Sequence, residues 1–160
     1  MDSELIIRLL LMLVAANGVP VLLEMLFGQR FAWPVDGGRQ FVDGRRLFGA
    51  HKTVRGIVGA VAVAALVAPV AGLDHLHGAL FGLLAMAGDL VSSFIKRRAN
   101  FAPGSKRPLL DQLPEACLPL WLLHDELNAS LPDAAIAVAA FTAIDLLLSR
   151  LYRAIQAEDR

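Results

Sequence analysis

The chain has 160 residues, of which 56% are hydrophobic; its mean hydropathy is +0.57 and its formal net charge is zero. The length suits one domain, and the hydrophobic share exceeds that of ordinary soluble domains, so a soluble globular protein is excluded. A single cysteine, Cys117, excludes an intrachain disulfide and is interpreted as a small buried apolar residue. The composition therefore predicts an all-α integral membrane bundle.

Five apolar stretches approach the roughly 20 residues that a helix needs to cross about 30 Å of hydrocarbon. We predict spans at residues 5–27, 54–72, 76–95, 109–124 and 134–152, within a single membrane domain of residues 1–160. Two long polar connections, 28–53 and 96–108, alternate with two short ones. The fourth span is the weakest, because it is short and contains Asp111, Pro114, Glu115 and Pro119.

The basic residues predict the orientation. All of the 15 Lys and Arg residues except Arg8 lie in the long connections, at their flanks or near the C-terminal end. Because cytoplasmic connections retain Lys and Arg, five crossings place the N-terminus outside and the C-terminus in the cytoplasm. We expect Arg8 to pair with Glu4, one helical turn away. The active site is then expected at the cytoplasmic side of a membrane that we interpret as the cell inner membrane.

Two features of the apolar spans concern the shape and packing of the helices. Asn17 and Pro20 break the first span, either to open its backbone toward a cavity or as a simple kink. Gly78 and Gly82 form a GxxxG pattern in the third span, which predicts close contact with a neighbouring helix.

The third span carries an ionisable residue, Asp89, that is costly in hydrocarbon and so points to a function. Helical spacing places Asp89, with either Ser92 or Ser93, on a stripe that reaches the cytoplasmic surface at Lys96. A basic cluster ends the helix: Lys96, Arg97 and Arg98. We interpret the stripe as a phosphate and metal site, with a purely structural Asp–Lys pair as the alternative.

The connection after this helix is also suited to phosphate. Gly104 permits close approach of backbone N–H groups, and Lys106 and Arg107 supply positive charge. A turn that merely holds cytoplasmic charge is an equal alternative. Beyond it, Asp111 and Glu115 lie four residues apart and so share one helical face, although Asp111 is also a candidate N-cap.

Three acidic groups beside basic connections are what a magnesium ion and a triphosphate require, since oxygen ligands hold the hard cation and cations neutralise the phosphates. Lys52 and Arg55, just before the second span, add positive charge. Asp145, alone in the fifth span, is expected to pair with a neighbouring helix.

Read in order, several segments resemble the CDP-archaeol synthase family, a membrane branch of the CTP-dependent phosphatidate cytidylyltransferase group. They are ANGVPVL (16–22), FGAHKTVRG (48–56), GDLVSSFIKRR (88–98), the Pro-Gly loop and LDQ (110–112). The resemblance covers most of the chain and implies a five-helix membrane enzyme. It implies that CTP is joined to a lipid phosphate with Mg²⁺, which yields a CDP-lipid and pyrophosphate.

The resemblance also implies roles for matching residues. Asp89 and Asp111 would serve the metal, with Lys96 as a third catalytic residue. The expected nucleotide and phosphate contacts are Lys52, Arg55, Ser92, Ser93, Arg97, Arg98, Gly104 and Lys106. The wider group tends to have a second Asp where this chain has Pro114, so either Glu115 substitutes as the third metal ligand or the metal site is altered.

Two other readings remain open from the sequence. One is a non-enzymatic membrane carrier of anionic lipid or phosphate, and the other is a family member that binds CTP without turnover. The absence of a second interrupted span in another half argues mildly against a carrier. The expected partners are CTP, a lipid phosphate and membrane lipids, with no nucleic acid.

Overall fold

The computed structural model describes residues 2–102, 105 and 107–158, and this part of the chain is helical, with two isolated β-bridges and no strand. The predicted all-α membrane bundle is confirmed. In chain order the helices are α1 (Ser3–Phe27), α2 (Val54–Val67), a 3₁₀ helix (Ala68–Ala71), α3 (His75–Arg98), α4 (Pro108–Leu122), α5 (His124–Leu127) and α6 (Leu131–Glu158).

Four helical segments of the described residues are long and apolar enough to cross a membrane: Ser3–Phe27, Val54–Ala71, His75–Arg98 and Leu131–Leu148. Helix α4 has 15 residues, or about 22 Å at 1.5 Å per residue, which is short of a roughly 30 Å hydrocarbon core. Its two internal prolines, Pro114 and Pro119, do not break it. A crossing by residues 109–124, and the orientation that depends on it, stay predictions.

Side-chain caps define where three of the helices begin. Asp2, Thr53 and Asp74 precede α1, α2 and α3, and each accepts backbone N–H groups from the first turn that follows. Pro69 and the left-handed Gly72, at φ 77°, end the second helical segment. The turn to α3 is therefore encoded locally.

Helices α2 and α3 pack closely through small residues. A Cβ at Gly82 would lie 2.9 Å from the Ala60 carbonyl oxygen, and one at Gly78 would lie 2.7 Å from the Ala64 carbonyl oxygen. The contact predicted from the GxxxG pattern is confirmed. Around it lies a core built from α1, α2, α3, α4 and α6, which includes Leu9, Met12, Leu13, Phe81, Leu120 and Phe141.

Helix α1 continues through its interruption. The Asn17 side chain donates to the Leu13 carbonyl at 3.0 Å, and the Pro20 ring lies against Gly56 at the start of α2. The Arg8–Glu4 pair forms as predicted, with 2.5 Å between nitrogen and oxygen. The interpretation of Cys117 as buried is wrong, since its position on α4 faces outward and is exposed.

The first long connection, residues 28–53, folds around one buried carboxylate. The Asp36 side chain has no exposed surface; it accepts from Arg46 at 2.5 Å and from the backbone N–H groups of Gly38, Phe48 and Gly49. Burial alone raises the pKa of Asp36, but these four donors outweigh it and lower the pKa to about 2. The connection is thus a fixed structure that leads into α2.

Candidate active site

Lys52 and Asp89 form an ion pair between the first connection and the middle of α3. The Lys52 ammonium lies 2.6 Å from both carboxylate oxygens of Asp89, and the two side chains are 27% and 19% exposed. Backbone hydrogen bonds fix the position of Lys52. The Lys52 carbonyl accepts from the Val35 N–H, and the Val54 N–H donates to the Trp33 carbonyl. The loop that Asp36 organises therefore delivers an ammonium to the α3 carboxylate.

Lys96 and Asp111 form a second pair, between the end of α3 and the start of α4. The Lys96 nitrogen lies 2.5 Å from Asp111 Oδ1, in a contact that lacks hydrogen-bond geometry, and Asp111 Oδ2 accepts from the backbone N–H of Arg107 at 2.8 Å. Helix α4 begins at Pro108 with Arg107 as its N-cap, so the alternative that Asp111 is the N-cap is wrong.

The two pairs lie on one face of α3. Asp89 and Lys96 are seven residues apart, which is close to two helical turns and about 10.5 Å along the axis. One face of α3 thus carries two ion pairs. Asp89 pairs with Lys52 near the middle of the helix, and Lys96 pairs with Asp111 near its end. This is the stripe predicted from the sequence, although its Asp and Lys pair with other elements and not with each other.

Glu115 lies beside Asp89 because α3 and α4 almost touch at Gly88. A Cβ at position 88 would overlap the Pro114 carbonyl and would lie 2.7 Å from the Glu115 Cα. Among the described residues, the charged neighbours of Glu115 include Asp89, Lys52, Asp145 and Asp111. Pro114, which occupies the position of an expected acid, therefore serves as the surface on which the two helices meet.

The predicted metal site has suitable ligands but no closed ligand set. Within the residues that the structure describes, no three His, Cys, Asp or Glu side chains come together closely enough to hold a metal ion. Asp89 and Asp111 instead face lysines. Three carboxylates from adjoining turns of two helices in contact remain a donor set of the kind that Mg²⁺ prefers, so the metal assignment stays a prediction.

Ser92 and Ser93 lie inside the bundle. Both are buried, at 0% and 2% exposure, and the Ser92 hydroxyl donates to the backbone carbonyl of Asp89. That hydrogen bond stays within α3 and pairs the Ser92 hydroxyl with its own helix. Their predicted contact with phosphate is not tested by this arrangement.

Three of the predicted phosphate ligands hold the connections in place. The Arg98 guanidinium lies over the rings of Phe41 and Phe94, at 4.8 Å from each ring centre, and its Nε lies 3.1 Å from Asp43. Arg97 is 9% exposed and donates to the Ala102 carbonyl at 3.1 Å, while Arg55 donates to the carbonyls of Gly28 and Arg30. Their positive charge lies near the site, but their hydrogen bonds are to backbone.

The last two predicted phosphate ligands, Gly104 and Lys106, lie outside the described residues. Asp145 of α6 accepts from the Gln112 side-chain nitrogen of α4 at 2.5 Å, so its predicted pairing with a neighbouring helix is confirmed. Gln112 is 2% exposed, and its side-chain oxygen has no hydrogen-bond partner among the described residues.

Sequence reasoning missed the residues that build the first connection. Asp36 and Asp43 each accept a backbone N–H two residues ahead, and the Arg45 guanidinium donates to the carbonyls of Arg97 and Arg98. The Asp-Gly sequences at 36–37 and 43–44 are turn signals that reveal the local hydrogen bonds, though not the contacts with α3.

Known proteins are similar to this chain in sequence and in fold. A family model described as CarS-like, CDP-archaeol synthase, matches residues 3–77 and 73–157. The CDP-archaeol synthase of Hyperthermus butylicus is 36% identical over 144 residues, 86% of this chain and 81% of that protein. The CDP-archaeol synthase of Thermofilum pendens is 37% identical over 143 residues, 85% of this chain and 69% of that protein.

A solved structure gives the same result at the level of the fold. It is described as an intramembrane enzyme for archaeal membrane lipids biosynthesis, and it is 33% identical in sequence with a TM-score of 0.73. The likeness covers 89% of this chain and 91% of that one. The chain belongs to the CDP-archaeol synthase family.

Proposed function

We propose that this protein transfers a cytidylyl group from CTP to a lipid phosphate in a magnesium-dependent reaction that releases pyrophosphate. Membership of the family makes the chain a CTP-dependent cytidylyltransferase that acts on a lipid phosphate. The proposal adds the metal, the residues that serve each substrate, and a position at the cytoplasmic side of the inner membrane.

One observation carries the proposal: two lysine–carboxylate pairs lie two turns apart on one face of α3, with Glu115 beside the inner pair. Half-buried acids are costly, and Asp89 and Asp111 each have a lysine partner, Lys52 and Lys96, that an incoming phosphate can recruit. A phosphate that binds Lys52 or Lys96 leaves a carboxylate free. The pairs therefore supply both kinds of charge that a nucleotide–metal complex needs.

The donor chemistry supports magnesium at this face. Asp89, Asp111 and Glu115 offer only oxygen ligands, and they come from adjoining turns of α3 and α4. When bound, the ion supplies charge neutralisation at the phosphates of CTP. Asp111 accepts from the Arg107 backbone N–H and lies 2.5 Å from the Lys96 nitrogen, so a phosphate that recruits Lys96 would leave an oxygen of Asp111 available to the ion.

The side chains of the protein contribute by position and charge. In the transfer, an oxygen of the lipid phosphate forms a bond to the α-phosphorus of CTP as the bond to the pyrophosphate oxygen breaks. Lys52 and Lys96 bring ammonium groups to the two ends of the reacting face, where they offset negative charge on the phosphates. No covalent intermediate with a protein side chain is required, so the rate depends on how rigidly α3 and α4 hold this face.

The test is a direct assay of the product. Purified protein in lipid nanodiscs is incubated with radiolabelled CTP, Mg²⁺ and a panel of lipid phosphates that includes acyl ester and isoprenoid ether forms. We expect labelled CDP-lipid together with pyrophosphate, and we expect loss of product on removal of Mg²⁺ or with Asp89→Asn. Asp125→Asn, which alters a carboxylate of 86% exposure in α5, is the matched control and should remain active.

Each failure has a distinct meaning. Absence of product with every lipid would contradict the enzyme assignment, and magnesium-dependent CTP binding without product would identify a binding protein. Product formation that does not respond to chelation of Mg²⁺ would contradict the metal assignment alone. The predicted orientation is tested in a Cys117→Ser background by labelling a cysteine placed at Val42, which is 94% exposed in the first connection, from each side of oriented vesicles.

A further inference from the structure

Two aromatic side chains near the start of the first connection form an exposed pair. Phe31 and Trp33 are 61% and 68% exposed, and their rings meet edge to face, with centres 6.4 Å apart and planes at 81°. Phe31 has a φ of 58°, a left-handed backbone conformation that is unfavourable for a bulky residue. The part of the chain that the structure describes leaves most of this aromatic surface uncovered.

The aromatic pair lies at the level where two membrane-spanning helices end. Helix α1 ends at Phe27, four residues before Phe31, and the Trp33 carbonyl accepts from the N–H of Val54, the first residue of α2. Tryptophan is enriched at this level of membrane proteins, because its ring is apolar while its indole N–H seeks a polar partner. The position of the pair therefore favours the boundary between hydrocarbon and headgroups as its surroundings.

The connection around the pair carries an excess of positive charge. Residues 28–53 contain five Lys or Arg residues and two Asp residues. Both Asp carboxylates already have an arginine partner, at 2.5 and 3.1 Å. Arg30, which is next to Phe31 in the chain, lies at an exposed position. Because anionic headgroups attract basic side chains at a membrane surface, this charge favours an anionic bilayer surface over a neutral one.

We propose that Phe31 and Trp33, with Arg30 beside them, dock the first connection on the anionic surface of the surrounding bilayer, and that this contact holds Lys52 in place. The rings enter the boundary between headgroups and hydrocarbon, and the guanidinium binds lipid phosphates. The lipids in this contact are not substrates, so the inference stands apart from the proposed reaction. It assigns to the bilayer itself a part in the shape of the site.

Backbone hydrogen bonds connect the aromatic pair to Lys52. The Trp33 carbonyl accepts from Val54 at 2.9 Å, and the Lys52 carbonyl accepts from Val35 at 2.8 Å, so the two segments form a short antiparallel bridge. The Lys52 ammonium in turn faces Asp89 at 2.6 Å. A displacement of Trp33 from the bilayer would therefore shift Lys52 relative to that carboxylate.

The fluorescence of Trp33 tests the docking directly. The chain has two Trp residues, so Trp121→Phe leaves Trp33 as the single indole of a full-length protein. In nanodiscs of phosphatidylglycerol, replacement of the lipid by a form brominated on its acyl chains near the headgroup should remove most of the Trp33 emission, since bromine quenches at short range. The control moves the single indole to position 42, where Val42 is 94% exposed in the same connection, and this emission should persist.

The result of the quenching experiment is decisive in either direction. An unquenched Trp33 would place the aromatic pair in water or against another protein, and would overturn the inference. Equal quenching at positions 33 and 42 would also overturn it, because the contact would then not be local to the aromatic pair.

A second measurement tests the charge of the surface. Digestion of the first connection by a nonspecific protease is compared in nanodiscs of phosphatidylglycerol and of phosphatidylcholine. We expect cleavage to be at least about fivefold slower on the anionic lipid, which is the contribution of one arginine near such a surface. Arg30→Gln should reduce this ratio by about fivefold, whereas Arg8→Gln, at the opposite end of α1, should leave it unchanged. Equal rates on the two lipids would overturn the assignment to an anionic surface.

A third measurement tests the link to Lys52 without any assay of turnover. Modification of Lys52 by an amine-reactive reagent is followed by mass spectrometry in phosphatidylglycerol nanodiscs. We expect faster modification in Trp33→Ala, and the wild-type rate in Trp33→Phe and in Val42→Ala, because only the first variant loses the ring that docks. An unchanged rate in Trp33→Ala would overturn the link, and if that variant does not fold, faster modification of the wild type in phosphatidylcholine is the expected result and an equal rate overturns the link.

Discussion

Substitution of Gly88 by Ala tests whether the contact between α3 and α4 sets the geometry of the reacting face. The added Cβ would overlap the Pro114 carbonyl and would lie 2.7 Å from the Glu115 Cα, whereas ordinary contact begins at 3.4 Å. Both obstacles are backbone atoms of a proline-containing helix, so neither can rotate away. The helices must separate by about 0.7 Å or more, which carries Glu115 and Asp111 away from Asp89.

The expected magnitudes follow from that displacement. Overpacking of this kind costs about 1–3 kcal/mol, while the change from Gly to Ala within a helix gains up to about 1 kcal/mol. Gly18 on α1 is the matched control, because nothing lies within 4 Å of a Cβ there. Relative to Gly18→Ala, Gly88→Ala should lower the Tm by roughly 2–12 °C, since 1 kcal/mol corresponds to about 2–4 °C in a chain of this size.

The effect on catalysis should exceed the effect on stability. A misplacement of about 1 Å in a positioned site costs on the order of 100-fold in rate, so kcat should fall by about 10- to 100-fold in protein that is still folded. The assay measures kcat for CDP-lipid formation and Tm in the same detergent preparation. If Gly88→Ala matches Gly18→Ala in both quantities, α3 and α4 are not in the close contact described, and the reasoning about Glu115 is refuted.

Three further predictions concern the charged groups around this face. Lys96→Ala removes the ammonium group that pairs with Asp111, and we expect the affinity for CTP, measured by equilibrium binding, to fall by about tenfold or more. An unchanged affinity would show that Lys96 does not contribute to nucleotide binding. Arg98→Lys keeps the charge but loses the guanidinium nitrogen that donates to the Arg45 and Arg46 carbonyls, so limited proteolysis should cut residues 28–53 faster than in the wild type. Equal rates of cleavage would contradict this role of Arg98. The pKa of Asp36 is lowered to about 2 from its ordinary value of 3.8, so the ionised carboxylate stabilises the connection fully at pH values above 3.8. This contribution, about 2 kcal/mol at most, is lost as the pH falls toward 2. Proteolysis of the connection should therefore accelerate over that acid range in the wild type, and Asp36→Asn should abolish the pH dependence.

The sequence predicted the helical bundle and the stripe of Asp89 and Lys96 on α3 because both are properties of short segments. Apolar runs near 20 residues announce helices in a membrane, and the seven-residue spacing of Asp89 and Lys96 puts them on one face wherever α3 lies. The family resemblance then identified which motifs belong to the site. The alignment of Asp89 and Lys96 on one face of α3 depends on helical periodicity alone.

The partners of these residues depend on contacts between distant segments, which periodicity does not determine. Lys52 meets Asp89 across 37 positions, and Gln112 meets Asp145 across 33. The sequence placed Lys52 near the site by charge but did not say which carboxylate it neutralises. Arg98 was assigned to phosphate for the same reason, since nothing local shows that its guanidinium lies over Phe41 and Phe94.

The anchoring of the first connection by the end of α3 has a consequence for biogenesis. Arg45 donates to the carbonyls of Arg97 and Arg98, and Arg98 in turn donates to those of Arg45 and Arg46, so each segment completes the other. During synthesis, residues 28–53 emerge before Arg98 does. They lack these hydrogen bonds until α3 has been synthesised. The contacts that complete the loop around Lys52 therefore form only after α3 has been synthesised, so a shorter nascent chain lacks the finished form of the proposed phosphate site.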